Sequence, residues 1–279
     1  MGGPQGPLGW LVRPSVMGIV NVTPDSFSDG GLSLAADAAR ARIDRLAAEG
    51  AAICDLGAES TKPGSERVPP GEQLRRLAPV LEALDGVAPP VPLSVDTTHA
   101  RVAEAVLDVG GVVINDVSAG REDPEVLSLA AERGAAVVLM HMRGQPRDMQ
   151  DDPRYDDVVE DVRAFLEERA DAALAAGVPR EHIVLDPGIG FGKTLRHNVA
   201  LMGGIPRIRA LGFPVLVGVS RKGMIGSITG KPIEGRAAGS VGAAIAAVAH
   251  GADVVRVHDV ADTVDALAAW TALAPREDP

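Results

Sequence analysis

Basic side chains near the C-terminal end of the chain have the types and spacing of an anion-binding site. Arg256 and His258 are two residues apart, so in a β-strand both point to the same face. Ser220 and Lys222 share a face by the same period, which turns Arg221 to the other side and predicts an outer ion pair for it. Guanidinium and ammonium groups bind phosphate oxygens well. Lys222, Arg256 and His258 are therefore predicted to contact a phosphate-like group.

Two carboxylates complement these cations. Asp96 and Asp186 each end an apolar run, where an unpaired carboxylate would be costly to bury. Each can accept two parallel N–H bonds from an amidine-like ligand edge, or each can form a salt bridge with Lys222 or Arg256. Both interpretations remain open from the residues alone. A ligand that is anionic at one end and a cyclic amidine at the other would fit the cations and the carboxylates together.

Eight short Val- and Ile-rich runs alternate with longer Ala-, Leu-, Arg- and Glu-rich runs along the chain. The short runs are typical of parallel strands buried on both faces, and the longer runs are typical of helices. This alternation predicts an α/β fold, a single (β/α)8 TIM barrel over residues 15–274, with loose segments at 1–14 and 275–279. A doubly wound open sheet is the alternative. The predicted strands are 16–20, 52–56, 92–95, 112–114, 136–140, 183–185, 215–219 and 253–257.

Polar residues follow every predicted strand, at the carboxyl end where barrels place their active sites. For any one of them a turn or a loop cap is an equal alternative, but polar groups at all eight ends favour a shared site. Glycines stand where six of the helices should stop. The strand-end residues include Asn21, Asp55, Asp96, Asn115, Asp116, His141, Asp186, Ser220, Arg256 and His258. The glycines are Gly50, Gly110, Gly134, Gly177, Gly212 and Gly251.

Composition excludes several classes of protein. The chain has 27 Lys and Arg against 38 Asp and Glu, a formal net charge of −11, which argues against a nucleic-acid partner. The single cysteine, Cys54, excludes an intramolecular disulfide and a cysteine-based zinc site. The Ala-rich stretch 237–249 is shorter than the roughly 20 residues that span a bilayer, and the N-terminus lacks the pattern of a signal peptide. We therefore expect a cytoplasmic protein with no membrane partner.

Taken in order, the blocks around these strand ends closely resemble those of the dihydropteroate synthase family. The match extends from about residue 17 to residue 260, and the ordered set is far more specific than any single block. The blocks are MGIVNVTPDSFSDGG at 17–31, DLGAESTKPG at 55–64, SVDT at 94–97, INDVSAG at 114–120, LMHMRGQP at 139–146, LDPGIGFGKT at 185–194, VSRKGMIG at 219–226 and RVHDV at 256–260.

The resemblance implies a pterin-binding barrel and a transferase of folate biosynthesis. Such an enzyme condenses 6-hydroxymethyl-7,8-dihydropterin diphosphate with 4-aminobenzoate, giving 7,8-dihydropteroate and diphosphate by dissociative substitution at the pterin methylene. It implies Mg²⁺ as cofactor, two small-molecule substrates, a homodimer, and sensitivity to sulfonamides, which mimic 4-aminobenzoate. The residues expected to carry catalysis are Asp96, Asp186, Lys222, Arg256 and His258.

The resemblance also implies substrate-binding positions. Four polar residues would hold the pterin, with two apolar ones near its ring: Asp96, Asn115, Asp186 and Lys222, then Met140 and Phe191. The diphosphate would be held by Asn21, Arg256 and His258, with Asn21 also a Mg²⁺ ligand. Two loops after the first and second strands would close over the site and contribute Phe27, Thr61, Lys62 and Pro63, with Phe27 and Pro63 at the aminobenzoate site.

Two positions depart from the family pattern. Lys62 stands where many relatives carry Arg. Because the ammonium of Lys is a point charge, it binds diphosphate less well than the planar guanidinium of Arg, so Lys62→Arg should preserve or improve turnover. Gly223 stands where some relatives have Ser, and backbone N–H groups at the start of the next helix are expected to bind the aminobenzoate carboxylate in its place. Two alternative functions are a methyltransferase acting on a methylated folate, and a paralogue that binds a pterin without turnover.

Overall fold

The strands form a barrel in the computed structural model, which describes residues 6–22, 31–60 and 62–274. Neighbouring strands are parallel in the order β6-β5-β4-β3-β2-β1-β8-β7, and a parallel bridge from Leu185 to Val215 brings β6 beside β7. The single (β/α)8 barrel is therefore confirmed over an open sheet. The strands are β1 Ser15–Asn21, β2 Ile53–Gly57, β3 Leu93–Asp96, β4 Gly111–Asp116, β5 Ala136–Met140, β6 Ile183–Asp186, β7 Leu216–Gly218 and β8 Val254–Val257.

Helices follow the strands and cover the outside of the barrel. The six glycines expected to end helices all have left-handed φ, between 62° and 100°, a conformation that costs other residues energy. The helices are α1 Gly31–Ala48, α2 Pro70–Leu84, α3 Ala100–Asp108, α4 Glu125–Arg133, α5 Val158–Ala175, α6 Leu195–Arg209, α7 Gly223–Thr229, α8 Ala237–Ala249 and α9 Val260–Leu273. Among the helices that the structure describes, none is long and apolar enough to cross a membrane.

The short helix α7 was not predicted from the sequence. It has seven residues, GMIGSIT, of which two are glycine and three are β-branched residues with ordinary or poor helix propensity. It begins directly after Lys222 and ends at Gly230 in the left-handed conformation. Packing rather than local preference therefore forms this helix, because Met224 and Ile225 are buried in the main core.

Alternation along the strands divides the apolar residues into two sets. Outward-facing residues such as Cys54, Leu56 and Val95 join the main core under the helices. Inward-facing residues fill the amino-terminal end of the barrel, and we call this set the lower cluster: Met17, Ile53, Val113, Ala136, Val138, Val184, Leu216 and Val254. Leu8, Trp10 and Leu11, from the segment expected to be loose, are partly buried against it. One end of the barrel is thus closed by apolar packing, and the other is left for polar residues.

Candidate active site

Inward positions change from apolar to polar toward the carboxyl ends of the strands. Three polar residues each lie two positions after a member of the lower cluster on the same strand. They are Asp55 after Ile53, Asn115 after Val113, and Arg256 after Val254. The period of two keeps each pair on the same face of its strand. The polar side chains therefore meet inside the barrel, directly above the lower cluster.

Arg256 lies at the centre of this polar group. Its Nε donates to Asp55 Oδ2 at 2.6 Å, and its Nη2 donates to Asp96 Oδ2 at 2.8 Å. Asn115 Nδ2 donates to the same Asp55 Oδ2 at 3.0 Å. One buried carboxylate oxygen thus orients both Arg256 and Asn115. Asp96 therefore forms the salt bridge with Arg256 that was one of the two interpretations of its role.

Burial prepares the two predicted carboxylates to accept hydrogen bonds. Burial raises the pKa of Asp96 to about 7, against the opposing attraction of Arg256. Burial also raises the pKa of Asp186, and the nearby ammonium of Lys222 opposes this. Asp186 Oδ1 accepts a hydrogen bond from Gly188 N at 2.7 Å. Carboxylates that have lost water in this way gain most from a ligand that brings its own N–H donors.

Lys222 forms a cationic edge beside an apolar patch. Its Nζ donates to the Ile189 carbonyl and lies 4.3 Å from the centroid of the Phe191 ring. Burial lowers its pKa to about 8, while Asp186 opposes the shift. Phe191 packs on a cluster of buried residues that includes the predicted Met140: Val117, Met140, Met142 and Met149. The structure therefore brings Asp186, Lys222, Phe191 and Met140 together on one side of the pocket.

His258 lies on the Arg256 side of the pocket. Burial lowers its pKa to about 4, and the positive charges of Arg256 and Arg221 add to the effect. The imidazole is therefore neutral near pH 7, and Ser220 Oγ lies 3.0 Å from its Nδ1. Arg221 makes the predicted outer ion pair, with its Nε 3.1 Å from Asp259 Oδ2. If Ser220 donates to Nδ1, His258 presents Nε2–H as a donor to the pocket.

Asn21 ends β1 and lies close to Gly57 of the neighbouring strand. Its Cα pairs with Gly57, which pairs in turn with Asp96. A Cβ built on Gly57 would lie 3.8 Å from Asp96 Oδ2 and 3.9 Å from Asn21 Oδ1. Glycine at position 57 therefore keeps free the space between an amide oxygen and a carboxylate oxygen.

The remaining predicted residues lie at the rim or outside the described residues. Lys62 and Pro63 are exposed in the loop after β2, and the charge of Lys62 contributes to lowering the pKa of His258. Gly223 begins α7, and no heavy atom lies within 4 Å of a Cβ built there. Phe27 and Thr61 lie outside the residues that the structure describes.

Sequence reasoning placed Asp55 at a strand end but did not include it in the site. The available signal was its position in β2, two residues before Gly57, which puts its side chain on the inner face of the barrel. A buried chain that supports the second loop was also missed: Glu59 Oε2 accepts from Gln73 Nε2 at 2.8 Å, and Gln73 Oε1 accepts from Thr97 Oγ1 at 2.8 Å. Arg67 then pairs with Glu59 at 2.9 Å. No sequence spacing indicates these contacts, because the partners come from helix α2 and from two separate loops.

Fold and site together define a (β/α)8-barrel enzyme whose pocket pairs buried carboxylates with basic groups, Asp55 and Asp96 with Arg256 on one side and Asp186 with Lys222 on the other. The comparisons with known proteins agree with this class. The family model "Pterin binding enzyme" matches residues 17–258. The dihydropteroate synthase of Neisseria meningitidis serogroup C is 49% identical over 267 residues, which cover 94% of each chain.

Solved structures give the same result. A Xanthomonas albilineans dihydropteroate synthase with 4-aminobenzoic acid is 50% identical over 95% of each chain, with a TM-score of 0.87. A second structure of the Xanthomonas enzyme is a complex with 7,8-dihydropteroate, at 48% identity over 95% of this chain and 96% of that one, with a TM-score of 0.83. A Yersinia pestis dihydropteroate synthase with a sulfonamide drug complex is 44% identical over 94% of each chain, with a TM-score of 0.86. This chain belongs to the dihydropteroate synthase family of pterin-binding enzymes.

Proposed function

We propose that the chain catalyses the dihydropteroate synthase reaction, in which 4-aminobenzoate displaces diphosphate from 6-hydroxymethyl-7,8-dihydropterin diphosphate. The observation that carries this proposal is a pocket in which buried carboxylates and cations lie close together. Asp96 Oδ2 accepts from Arg256 Nη2 at 2.8 Å, and Asp186 lies close enough to Lys222 and Arg256 for both cations to affect its pKa. A ligand that joins a flat amidine to an anion spans such a pocket.

The pterin occupies the side lined by Asp186, Lys222 and Phe191. The amidine edge of the ring donates N–H bonds to carboxylates that burial has stripped of water. The ring stacks beside Phe191 and the methionines under it, which suits a flat heterocycle. The carboxylates also stabilise the positive charge that spreads into the ring when the C–O bond to diphosphate breaks.

The diphosphate occupies the side lined by Arg256 and His258. The Arg256 guanidinium has further N–H groups beyond the two that bond Asp55 and Asp96, and neutral His258 donates one more hydrogen bond. These donors favour departure because the charge on the leaving group grows in the transition state. The amine of 4-aminobenzoate then adds to the methylene, and the reaction needs no covalent bond to the protein.

Asn21 suits a Mg²⁺ ion that is held mainly by the substrate. Mg²⁺ prefers oxygen ligands and commonly takes one or two from the protein, with phosphate and water supplying the rest. The space beside Gly57, between Asn21 Oδ1 and Asp96 Oδ2, fits that requirement. When bound, Mg²⁺ would supply positive charge to the diphosphate oxygens. Asn21 would orient the ion, and Gly57 keeps the space open.

A rate assay separates this function from its alternatives. Purified protein is mixed with the pterin diphosphate and 4-aminobenzoate, each alone and both together, and diphosphate release is followed. A synthase releases diphosphate when both substrates are present, and a sulfonamide inhibits the release in competition with 4-aminobenzoate. A pterin-binding paralogue releases none. A methyltransferase has no use for the basic wall and shows no dependence on 4-aminobenzoate.

Two substitutions test the division of the pocket. Asp186→Asn should raise the KM for the pterin diphosphate by about tenfold or more, because it replaces a charged acceptor of paired hydrogen bonds. His258→Ala should weaken inhibition by diphosphate more than binding of a pterin that lacks diphosphate. Kinetics unchanged by both substitutions would contradict the assignment. We further expect the enzyme to act in the cytoplasm as a homodimer, with one barrel domain over residues 15–274; residues 1–5 and 275–279 lie outside the residues that the structure describes.

A further inference from the structure

Lys193 is a buried lysine that the proposed reaction does not use. Its side chain is almost completely buried, and its Nζ lies 2.9 Å from the carbonyl oxygens of both Gly188 and Phe191. The same Nζ lies 3.3 Å from the carbonyl oxygen of His141 and 2.9 Å from its Nδ1. Burial and neighbouring cations lower the pKa of His141 to about 2, so the imidazole is neutral and its Nδ1 can accept. Burial lowers the pKa of Lys193 well below its usual value, and its Nζ donates to neutral acceptors from two separate segments.

These acceptors belong to the ends of two neighbouring strands. His141 follows β5, whereas Gly188 and Phe191 lie in the segment 187–194 between β6 and α6, which we call the β6 loop. The two segments approach closely: a Cβ on Gly188 would lie 1.9 Å from the His141 carbonyl oxygen, and Gly188 has a φ of +65°. Three carbonyl oxygens that converge on one point repel each other unless a donor sits between them. Lys193 supplies that donor from within the loop itself.

The β6 loop in turn contacts the pterin side of the pocket. Gly188 N donates to Asp186 Oδ1 at 2.7 Å, and the Ile189 carbonyl accepts from Lys222 Nζ. The Phe191 ring faces the same Nζ at 4.3 Å from its centroid. Three groups proposed to bind the pterin thus depend on the path of this loop. The two residues of the diphosphate side, Arg256 and His258, make none of their described hydrogen bonds to this loop.

We propose that Lys193 is a positioning residue, whose buried Nζ donor fixes the β6 loop to the end of β5 and thereby sets the geometry of Asp186, Phe191 and Lys222 for the pterin. The inference rests on the proposed function, since it concerns the same pocket. The role proposed for Lys193 predicts that its loss weakens binding on the pterin side of the pocket only. Without the donor the three carbonyls separate, Gly188 N moves away from Asp186, and the pterin side loosens while the Arg256 side stays intact.

The test compares Lys193→Met, which keeps the length of the side chain and removes every donor, with Lys193→Gln, which keeps two N–H donors. Binding of 6-hydroxymethylpterin, which has no diphosphate and does not react, is measured by calorimetry, and the KM values of both substrates are measured separately. Lys193→Met should weaken pterin binding and raise the KM for the pterin diphosphate by about tenfold or more, as expected when binding groups shift by a fraction of an ångström. Lys193→Gln should lose less pterin affinity, because its amide can still donate to the carbonyl oxygens.

The control is Lys231→Met, which removes an exposed lysine outside the pocket and should leave binding unchanged within about twofold. Inhibition by diphosphate alone should also be unchanged in Lys193→Met, because Arg256 keeps its partners. Three outcomes would overturn the proposal: unchanged pterin affinity in Lys193→Met, an equal loss at both sides of the pocket, or failure of both variants to fold. If the unaltered protein binds no pterin, the proposed function fails first and this inference with it.

Discussion

Asp55 is the residue on which the basic wall of the pocket most depends. Its Oδ2 accepts from both Arg256 and Asn115, and its side chain is fully buried. We predict that Asp55→Asn lowers kcat/KM by at least tenfold, about 1.4 kcal/mol of transition-state stabilisation, because the amide no longer balances the charge of Arg256. Steady-state kinetics with both substrates measure this loss.

The matched control for this substitution is Asp171→Asn, at an exposed position on α5. It makes the same chemical change far from the pocket, and its kcat/KM should stay within about twofold of the unaltered protein. Equal kinetics in Asp55→Asn and Asp171→Asn would mean that Arg256 does not need its buried partner.

The ionisation of two pocket residues predicts how pterin affinity changes with pH. Lys222, with a pKa near 8, is charged below that pH and loses its proton as the pH rises through it, which removes the cation beside Asp186. Asp96, with a pKa of about 7, takes up a proton as the pH falls and then accepts hydrogen bonds less well. Affinity for an unreactive pterin should therefore be highest between about pH 7 and 8 and fall on both sides.

Substitutions show which residue causes the fall in pterin affinity at high pH and which causes the fall at low pH. In Lys222→Arg, the loss of pterin affinity at high pH should begin only above pH 9, since the guanidinium keeps its proton. His258→Gln should leave the decline at low pH in place, because His258 has a pKa of about 4 and is already neutral there. Calorimetric titrations from pH 5 to 10 measure both effects, and a flat profile would contradict the assignment to Lys222 and Asp96.

At the scale of the elements, α6 contains two adjacent glycines with opposite surroundings. Gly203 is exposed, with no atom within 4 Å of an added Cβ, whereas a Cβ on Gly204 would lie 2.6 Å from a Val159 methyl carbon on α5. Gly203→Ala should raise the free energy of unfolding by about 1 kcal/mol through helix propensity. Gly204→Ala should lower it by about 1–3 kcal/mol because α5 and α6 must separate. Urea denaturation of both variants measures the difference, and a shift of the same sign in both would contradict this packing.

The strands were predictable because parallel strands covered on both faces are apolar in nearly every position, and turns follow each of them. Helix α7 was not, because its seven residues are held by burial of Met224 and Ile225 rather than by local preference. Within the site, the period of two at the end of β8 paired Arg256 with His258, and the same period after β7 turned Arg221 outward. The roles of Asp55 and Lys193 escaped prediction because each depends on partners across the barrel or in another loop, which no local pattern specifies.

At the scale of the whole molecule, the amino-terminal end of the barrel is covered by the segment before β1. Leu8, Trp10 and Leu11 are partly buried against the lower cluster, and Trp10 Nε1 donates to the Pro7 carbonyl at 2.9 Å. We predict that Trp10→Ala lowers the free energy of unfolding by about 1–2 kcal/mol through lost apolar burial. Turnover should not change, because the pocket is at the opposite end of the strands.

The control is Val12→Ala in the same segment, where the side chain is 74% exposed. It should change the free energy of unfolding by less than about 0.5 kcal/mol. Denaturation curves for both variants, with kcat measured in parallel, give the comparison. A loss of turnover in Trp10→Ala at unchanged stability would show that this end of the barrel communicates with the pocket.

The bridge from Arg256 to Asp55 and Asp96 has a consequence for the catalytic cycle. The pterin must exchange its bond to Asp96 with the one that Arg256 makes there, whereas the diphosphate binds N–H groups of Arg256 that the bridge leaves over. The exchange moderates affinity, because each new bond replaces an old one. It also resets the pocket, since Arg256 and Asp96 can bond to each other again as the products depart.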